Sequence, residues 1–98
     1  MVEAQTYRLL FIPSADKEWR KLDSSVRQQF VRKLRERLTN PHIPSAKLFE
    51  MSGCYKIKLR KSGFRLVYQV IDQDIVVKVI AVGRRDRNEV YKSAAKRL

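Results

Sequence analysis

The sequence contains one cysteine, Cys54, so no internal disulfide can form. It contains one histidine, His42, and a lone histidine with a lone cysteine makes no metal site. No metal or other cofactor is therefore expected. No contiguous apolar run exceeds four residues (Leu9 to Ile12, Val79 to Val82), whereas a transmembrane helix needs about 20. Met1-Val2-Glu3-Ala4 lacks the basic start and apolar stretch of a signal peptide. These absences predict a cytoplasmic protein with no membrane partner. Repeats, low-complexity stretches and linkers are also missing, and 98 residues suit one domain spanning 1–98.

Negative charge is the scarcest commodity. Ten Asp and Glu face 22 Lys and Arg, a formal net charge of +12. Residues 1–49 hold 10 basic and 5 acidic residues, and residues 50–98 hold 12 and 5, so the excess is spread through the chain and is not a tail. Such a body attracts polyanions over long range. Nucleic acid is the expected partner, with an acidic protein as the other candidate. A hydrophobic fraction of 44% is ordinary for a globular chain and excludes a disordered one.

Patterning supplies the elements. Thr6 to Ile12 reads as a strand ended by Pro13. Ser14 is placed to cap a short helix through Leu22, with Ala15, Trp19 and Leu22 on one face. Ser25 and Gln28 have capping-box spacing. Val26, Phe30, Leu34 and Leu38 then recur every fourth residue, with Arg27, Arg32, Lys33, Arg35 and Arg37 outside, and Asn40-Pro41 stops this second helix. Tyr55 to Arg60 alternates: Tyr55, Ile57 and Leu59 face one way, Lys56, Lys58 and Arg60 the other. Strands are expected at Phe64 to Ile71 and Ile75 to Val82, with Gly83 ending the sheet. Arg85 to Leu98 has weak helical periodicity. The predicted class is α+β: an N-terminal strand, a helical hairpin on one sheet face, an antiparallel meander and a last helix. The other sheet face should be polar, basic and open.

Three blocks carry the candidate chemistry: Tyr55-Lys56-Ile57-Lys58-Leu59-Arg60, Gly63-Phe64-Arg65-Leu66-Val67-Tyr68, and Gly83 through Tyr91 with Arg85 and Arg87. A compact meander can gather them around one concave site. These blocks, with Lys17-Glu18-Trp19-Arg20-Lys21-Leu22, resemble the active-site segments of the RelE toxins, in unbroken order from about Arg8 to Leu98. The resemblance implies the small RelE-like, microbial-RNase-like fold. It also implies a ribosome-dependent endoribonuclease that cuts mRNA in the A site and leaves a 2′,3′-cyclic phosphate and a 5′-hydroxyl. By matching motifs, the family's functional residues fall on Lys56, Lys58, Arg65, Arg85 and Tyr91, with Arg87 as a supporting contact; Arg60, on the same strand face as the two lysines, is a further candidate RNA contact. Phe49-Glu50 departs from the pattern, because relatives can place a further basic residue there. Phe64 lacks the hydroxyl that some relatives carry before the arginine.

The residues can be read chemically as well. In-line attack by a 2′-hydroxyl needs a base, stabilisation of a phosphorane dianion, and a proton for the departing 5′-oxygen. Lysine and arginine suit the second task. Lysine is normally protonated, but neighbouring cations disfavour its charged form. Lys58 is thus the expected base, with Tyr91 aligning the scissile nucleotide or itself serving as base. Arg65 and Lys56 would hold the phosphate, and Arg85 the leaving oxygen. Competing readings exist for each. Lys56, Lys58 and Arg60 can be a solvated strand face, Arg85 and Arg87 loop charges, and Tyr91 core packing. Tyr55, Phe64, Tyr68 and Trp19 read as core. The basic helix face at Arg27, Arg32, Lys33 and Arg35 is either solvated or a contact for ribosomal RNA.

The family resemblance implies further partners: an acidic RelB-like antitoxin that competes with the last helix and displaces Tyr91, the 70S ribosome with its 16S rRNA and A-site mRNA, and operator DNA only through the antitoxin. Two rival functions remain open at this point, a ParE-like gyrase-inhibiting toxin and a non-catalytic ribosome- or RNA-binding protein.

Overall fold

The computed structural model describes residues 6–98, apart from the Arg87 side chain; the Met1 to Ala4 stretch lies outside the described residues. Strand β1, Arg8–Phe11, is followed by helices α1, Pro13–Arg20, and α2, Ser24–Thr39. Strands β2, Cys54–Leu59, β3, Phe64–Ile71, and β4, Val76–Arg84, come next, and helix α3, Glu89–Arg97, closes the chain. The four strands form one mixed sheet in the order β1-β4-β3-β2. The meander β2-β3-β4 is antiparallel, and β1 lies parallel to β4 with Arg8 opposite Val76 and Phe11 opposite Val79.

The expected α+β architecture is present, with local corrections. Pro13 opens α1 rather than only ending the strand, because its missing amide costs nothing at a first helical position. Ser14 is therefore inside the helix and caps nothing. The expected box at Ser25 and Gln28 does not form. Asp23 caps α2 two residues earlier, accepting from the Ser25 amide at 3.2 Å. Gly83 does not end the sheet: it pairs with Arg65, and β4 runs on to Arg84 opposite Phe64. Ile75 is not in β4, since it takes φ 55° in the turn before it.

Alternation along the strands divides the apolar side chains between two faces. Ile57, Leu59, Leu66, Tyr68, Val77 and Val79 pack with Ala15, Leu22, Val26, Phe30 and Leu34 of α1 and α2. Trp19 joins Phe11 and Phe30 at ring separations of 5.1 and 6.1 Å. The opposite face is not uniformly polar and open, as alternation alone suggests. Met51, Cys54, Val67, Ile80 and Ala81 form a second cluster there with Val90 and Ala94 of α3. A bulge makes this possible. Val67 faces Ala81 while the next residue, Tyr68, faces Val79, so Ile80 is the extra residue on β4. Ile80 and Ala81 consequently both reach α3, and Val82 returns to the first core.

α3 thus roofs part of the second face, and the part beyond it stays uncovered. Arg37 also departs from expectation. It is half-buried, on the flank of the α2 apolar stripe, and donates to the Lys56 carbonyl at 3.1 Å and the Tyr68 hydroxyl at 2.8 Å. That bond fixes the backbone of β2 at the residue whose side chain enters the site.

Candidate active site

Lys58 and Arg65 are directly opposed across β2 and β3, so their side chains share a face, with Lys56 two residues along it. Arg85 follows β4 and is pinned by its amide to the Gly63 carbonyl at 2.9 Å. Asn88 then takes a left-handed φ of 58°, a conformation that asparagine tolerates better than most residues. That corner turns the chain into α3 and brings Tyr91 back over the sheet. Lys56, Lys58, Arg65, Arg85 and Tyr91 accordingly line one cleft of about 830 Å³.

Its electrostatics are lopsided. Arg65 is only 7% exposed, yet its one side-chain hydrogen bond among the described residues is from Nη1 to the Phe64 carbonyl. Neither the ion pairs Arg20–Asp16 and Arg97–Glu18 nor the His42–Asp72 contact involves a cleft cation. The charge of Lys56, then desolvation, then Arg65 and Arg60 hold the Lys58 amine below the ordinary lysine range. The Tyr91 ring packs on the second core cluster while lining the cleft, so its packing and site readings are both met.

Other predicted residues go elsewhere. Arg60 lies past the end of β2 and outside the cleft lining. The Arg87 side chain lies outside what the structure describes. Arg32, Lys33 and Arg35 are exposed on α2, whose apolar side packs on the other sheet face, so the structure does not join them to the cleft. Arg27 is half-buried and closes the end of α1, donating to the Leu22 carbonyl at 2.6 Å. His42 bridges the Tyr55 hydroxyl and Asp72 at 3.0 and 2.8 Å and is not among the cleft residues. Burial pushes the Cys54 thiol up to about 11, which removes it as a nucleophile at neutral pH. No group of three or more His, Cys, Asp or Glu able to hold a metal occurs among the described residues.

Several lining residues escaped the sequence reading. Asn88, Lys92 and Ala95 share the cleft with Tyr91, and positions 88, 91, 92 and 95 follow helical i, i+3, i+4, i+7 spacing. Lys47, Phe49 and Glu50 come from the loop before β2; no periodicity marks a loop, and only the family resemblance pointed to Phe49-Glu50. Glu50 is the one carboxylate in the lining.

A family match sets this small helix-covered sheet with its cationic cleft in a class, the toxins of type II toxin–antitoxin systems. Residues 9–89 match the family of ParE toxins of type II systems, parDE. The mRNA interferase toxin RelE of Escherichia coli strain K12 is 59% identical over 92 residues, 94% of this chain and 97% of that protein. The mRNA interferase RelE of Shigella flexneri matches to the same extent. A mutant E. coli RelE in the free state superposes with a TM-score of 0.88 at 56% identity, covering 95% of this chain and 98% of that one. The toxin in the intact E. coli RelBE toxin–antitoxin complex gives 0.80 at 58%, covering 83% and 99%. The chain belongs to the RelE toxin family.

Proposed function

We propose that this protein is an endoribonuclease toxin that cleaves mRNA in the ribosomal A site. The observation that carries the reading is the gathering of Lys56, Lys58, Arg65 and Arg85 with Tyr91 in one cleft, unpaired with any carboxylate among the described residues. Six lining cations against one carboxylate, Glu50, with no ion pair between them among the described residues, suit a polyanionic substrate.

In this mechanism the neutral Lys58 amine takes the proton of the substrate's 2′-hydroxyl. The 2′-oxygen attacks phosphorus, and Lys56 and Arg65 neutralise the phosphorane oxygens. The bond to the 5′-oxygen breaks, and that oxygen, stabilised by Arg85, takes a proton from Arg85 or from water, leaving a 2′,3′-cyclic phosphate and a 5′-hydroxyl. Tyr91 stacks on or aligns the scissile nucleotide. These acids and bases are weak, so orientation of the strand by the ribosome supplies the larger share of the acceleration. No cofactor takes part.

The same reading makes residues 1–98 one cytoplasmic toxin domain. An acidic RelB-like antitoxin neutralises it by taking the place of α3 and moving Tyr91, and it supplies the contacts to operator DNA. The solved RelBE complex of a 58%-identical relative supports such a partner. The match to ParE toxins favours a second reading, gyrase inhibition without nuclease chemistry.

The test is purified protein on programmed ribosomes, with the mRNA ends mapped. Cuts within A-site codons are expected, and R85A and Y91A should abolish cleavage while ribosome binding persists. Intact message with the unaltered protein would overturn the nuclease, and DNA damage on expression in its place would establish the gyrase reading.

A further inference from the structure

Three large hydrophobic side chains are well exposed among the described residues: Leu10 at 45%, Leu98 at 50% and Phe49 at 87%. Leu10 is on the edge strand β1 and Leu98 is the last residue. Phe49 alone of the three lines the cleft.

Its exposure is built into the loop. The Met51 amide donates to the Leu48 carbonyl at 3.1 Å, closing a turn with Phe49 and Glu50 at its corners. The Leu48 amide donates to the Cys54 carbonyl at 2.9 Å and the Cys54 amide to the Met51 carbonyl at 3.1 Å, which ties both ends of that turn to the start of β2. Gly53, with φ 70°, allows the second bend. Met51 is buried in the second core cluster and Leu48 packs against it. The turn is therefore anchored on both sides of a residue that itself touches almost nothing. An aromatic ring held out over a cleft lined by Lys47, Lys56, Lys58 and Arg65 has a chemical counterpart in nucleic acid, whose bases present flat π faces beside phosphates.

We infer that Phe49 is a stacking platform for a nucleobase of the bound RNA, a positioning residue on the cleft wall contributed by the loop before β2, separate from Tyr91 on α3. The inference rests on the nuclease reading and names a further part of its substrate site. Stacking requires a flat ring, not just an apolar side chain. F49W is thus expected to retain function, and F49L to lose it as F49A does. The ring shares its cleft with the cations that hold the phosphate in the proposed mechanism, so a base of that same RNA is the occupant assigned to it.

The experiment uses the full chain on ribosomes carrying an mRNA with 2-aminopurine in the A-site codon, and a second mRNA with a 2′-deoxy residue at the scissile position to block cleavage. Single-turnover cleavage in F49A and F49L should fall by roughly 5- to 150-fold, the range expected for losing one base–aromatic stack, with F49W near the unaltered protein. Quenching of 2-aminopurine on the uncleavable mRNA should weaken in F49A and F49L and persist in F49W. Circular dichroism checks that each variant is folded. Failure of the unaltered protein to cut the first mRNA overturns the nuclease reading. Cutting by the unaltered protein, with F49A matching it in rate and quenching, overturns the platform alone. Undiminished cleavage by F49A combined with lost neutralisation by a co-produced antitoxin overturns it too, and assigns the ring to a protein interface.

Discussion

Lys58 carries the chemical burden of the proposed mechanism, and its environment is suited to it. Lys56 is the largest cause of its lowered amine pKa, followed by desolvation and Arg65. A lower pKa populates more neutral amine at a given pH, so a rate that depends on this base rises with pH through that value. K56M removes the leading cause, returns the Lys58 pKa toward the ordinary lysine value and moves the rising limb of the rate profile to higher pH. The loss at neutral pH should then be partly recovered in alkali. K58M should remove the limb altogether. Single-turnover rates across pH on programmed ribosomes check both, and a limb that K56M leaves in place would shift the role of base to Tyr91. Lys56 and Lys58 were legible as a pair from alternation in Tyr55 to Arg60. Their closeness to Arg65 was not, because strand register is a pairing between segments.

α3 is a nine-residue helix, too short to be stable by itself. Its apolar anchors, Val90 and Ala94, are small. A polar clamp adds to them. Arg97 donates to both carboxylate oxygens of Glu18 on α1, at 2.8 and 3.2 Å, and to the Ile80 carbonyl at 2.9 Å, while Glu18 also accepts from the Val82 amide at 3.1 Å. With both side chains still partly solvated, at 23% and 30% exposure, R97A should cost roughly 1–2 kcal/mol. Amide exchange should accelerate along α3 ahead of the sheet, and antitoxin affinity should rise if α3 must leave for the partner to bind. Uniform exchange across α3 and the sheet in R97A would show that the clamp does not govern this helix. Periodicity announced α3 only weakly, and Glu18 and Arg97, 79 residues apart, gave no sign of pairing. Short-range pattern located the other helices to within a few residues. Their caps at Ile12 and Asp23 were missed because proline and aspartate supplied alternatives to the serines expected there.

At the scale of the whole molecule, the net charge of +12 predicts that the proposed association with a ribosome is strongly salt-dependent. The exposed cations Arg32, Lys33 and Arg35 on α2 lie away from the cleft, so a single RNA strand in the cleft does not explain them. The triple variant R32Q/K33Q/R35Q should weaken ribosome binding and lower the slope of log affinity against log salt by roughly two to three if all three meet ribosomal phosphates. An unchanged slope would make that face merely solvated. Composition and periodicity by themselves determined the α+β class, the element order and the cationic character, since each depends on residue type and near-neighbour spacing; the family was legible only from the resemblance of particular sequence blocks to the RelE toxins. Only the tertiary structure decided which cations meet. It directed Arg37 and Arg27 to backbone carbonyls, covered part of the second sheet face with α3 through the bulge at Ile80, and lifted Phe49 and Glu50 to the cleft wall. The physical reason is that these outcomes turn on unsatisfied carbonyls, strand register and hydrogen-bonded loop closure, which arise only when distant segments come into contact.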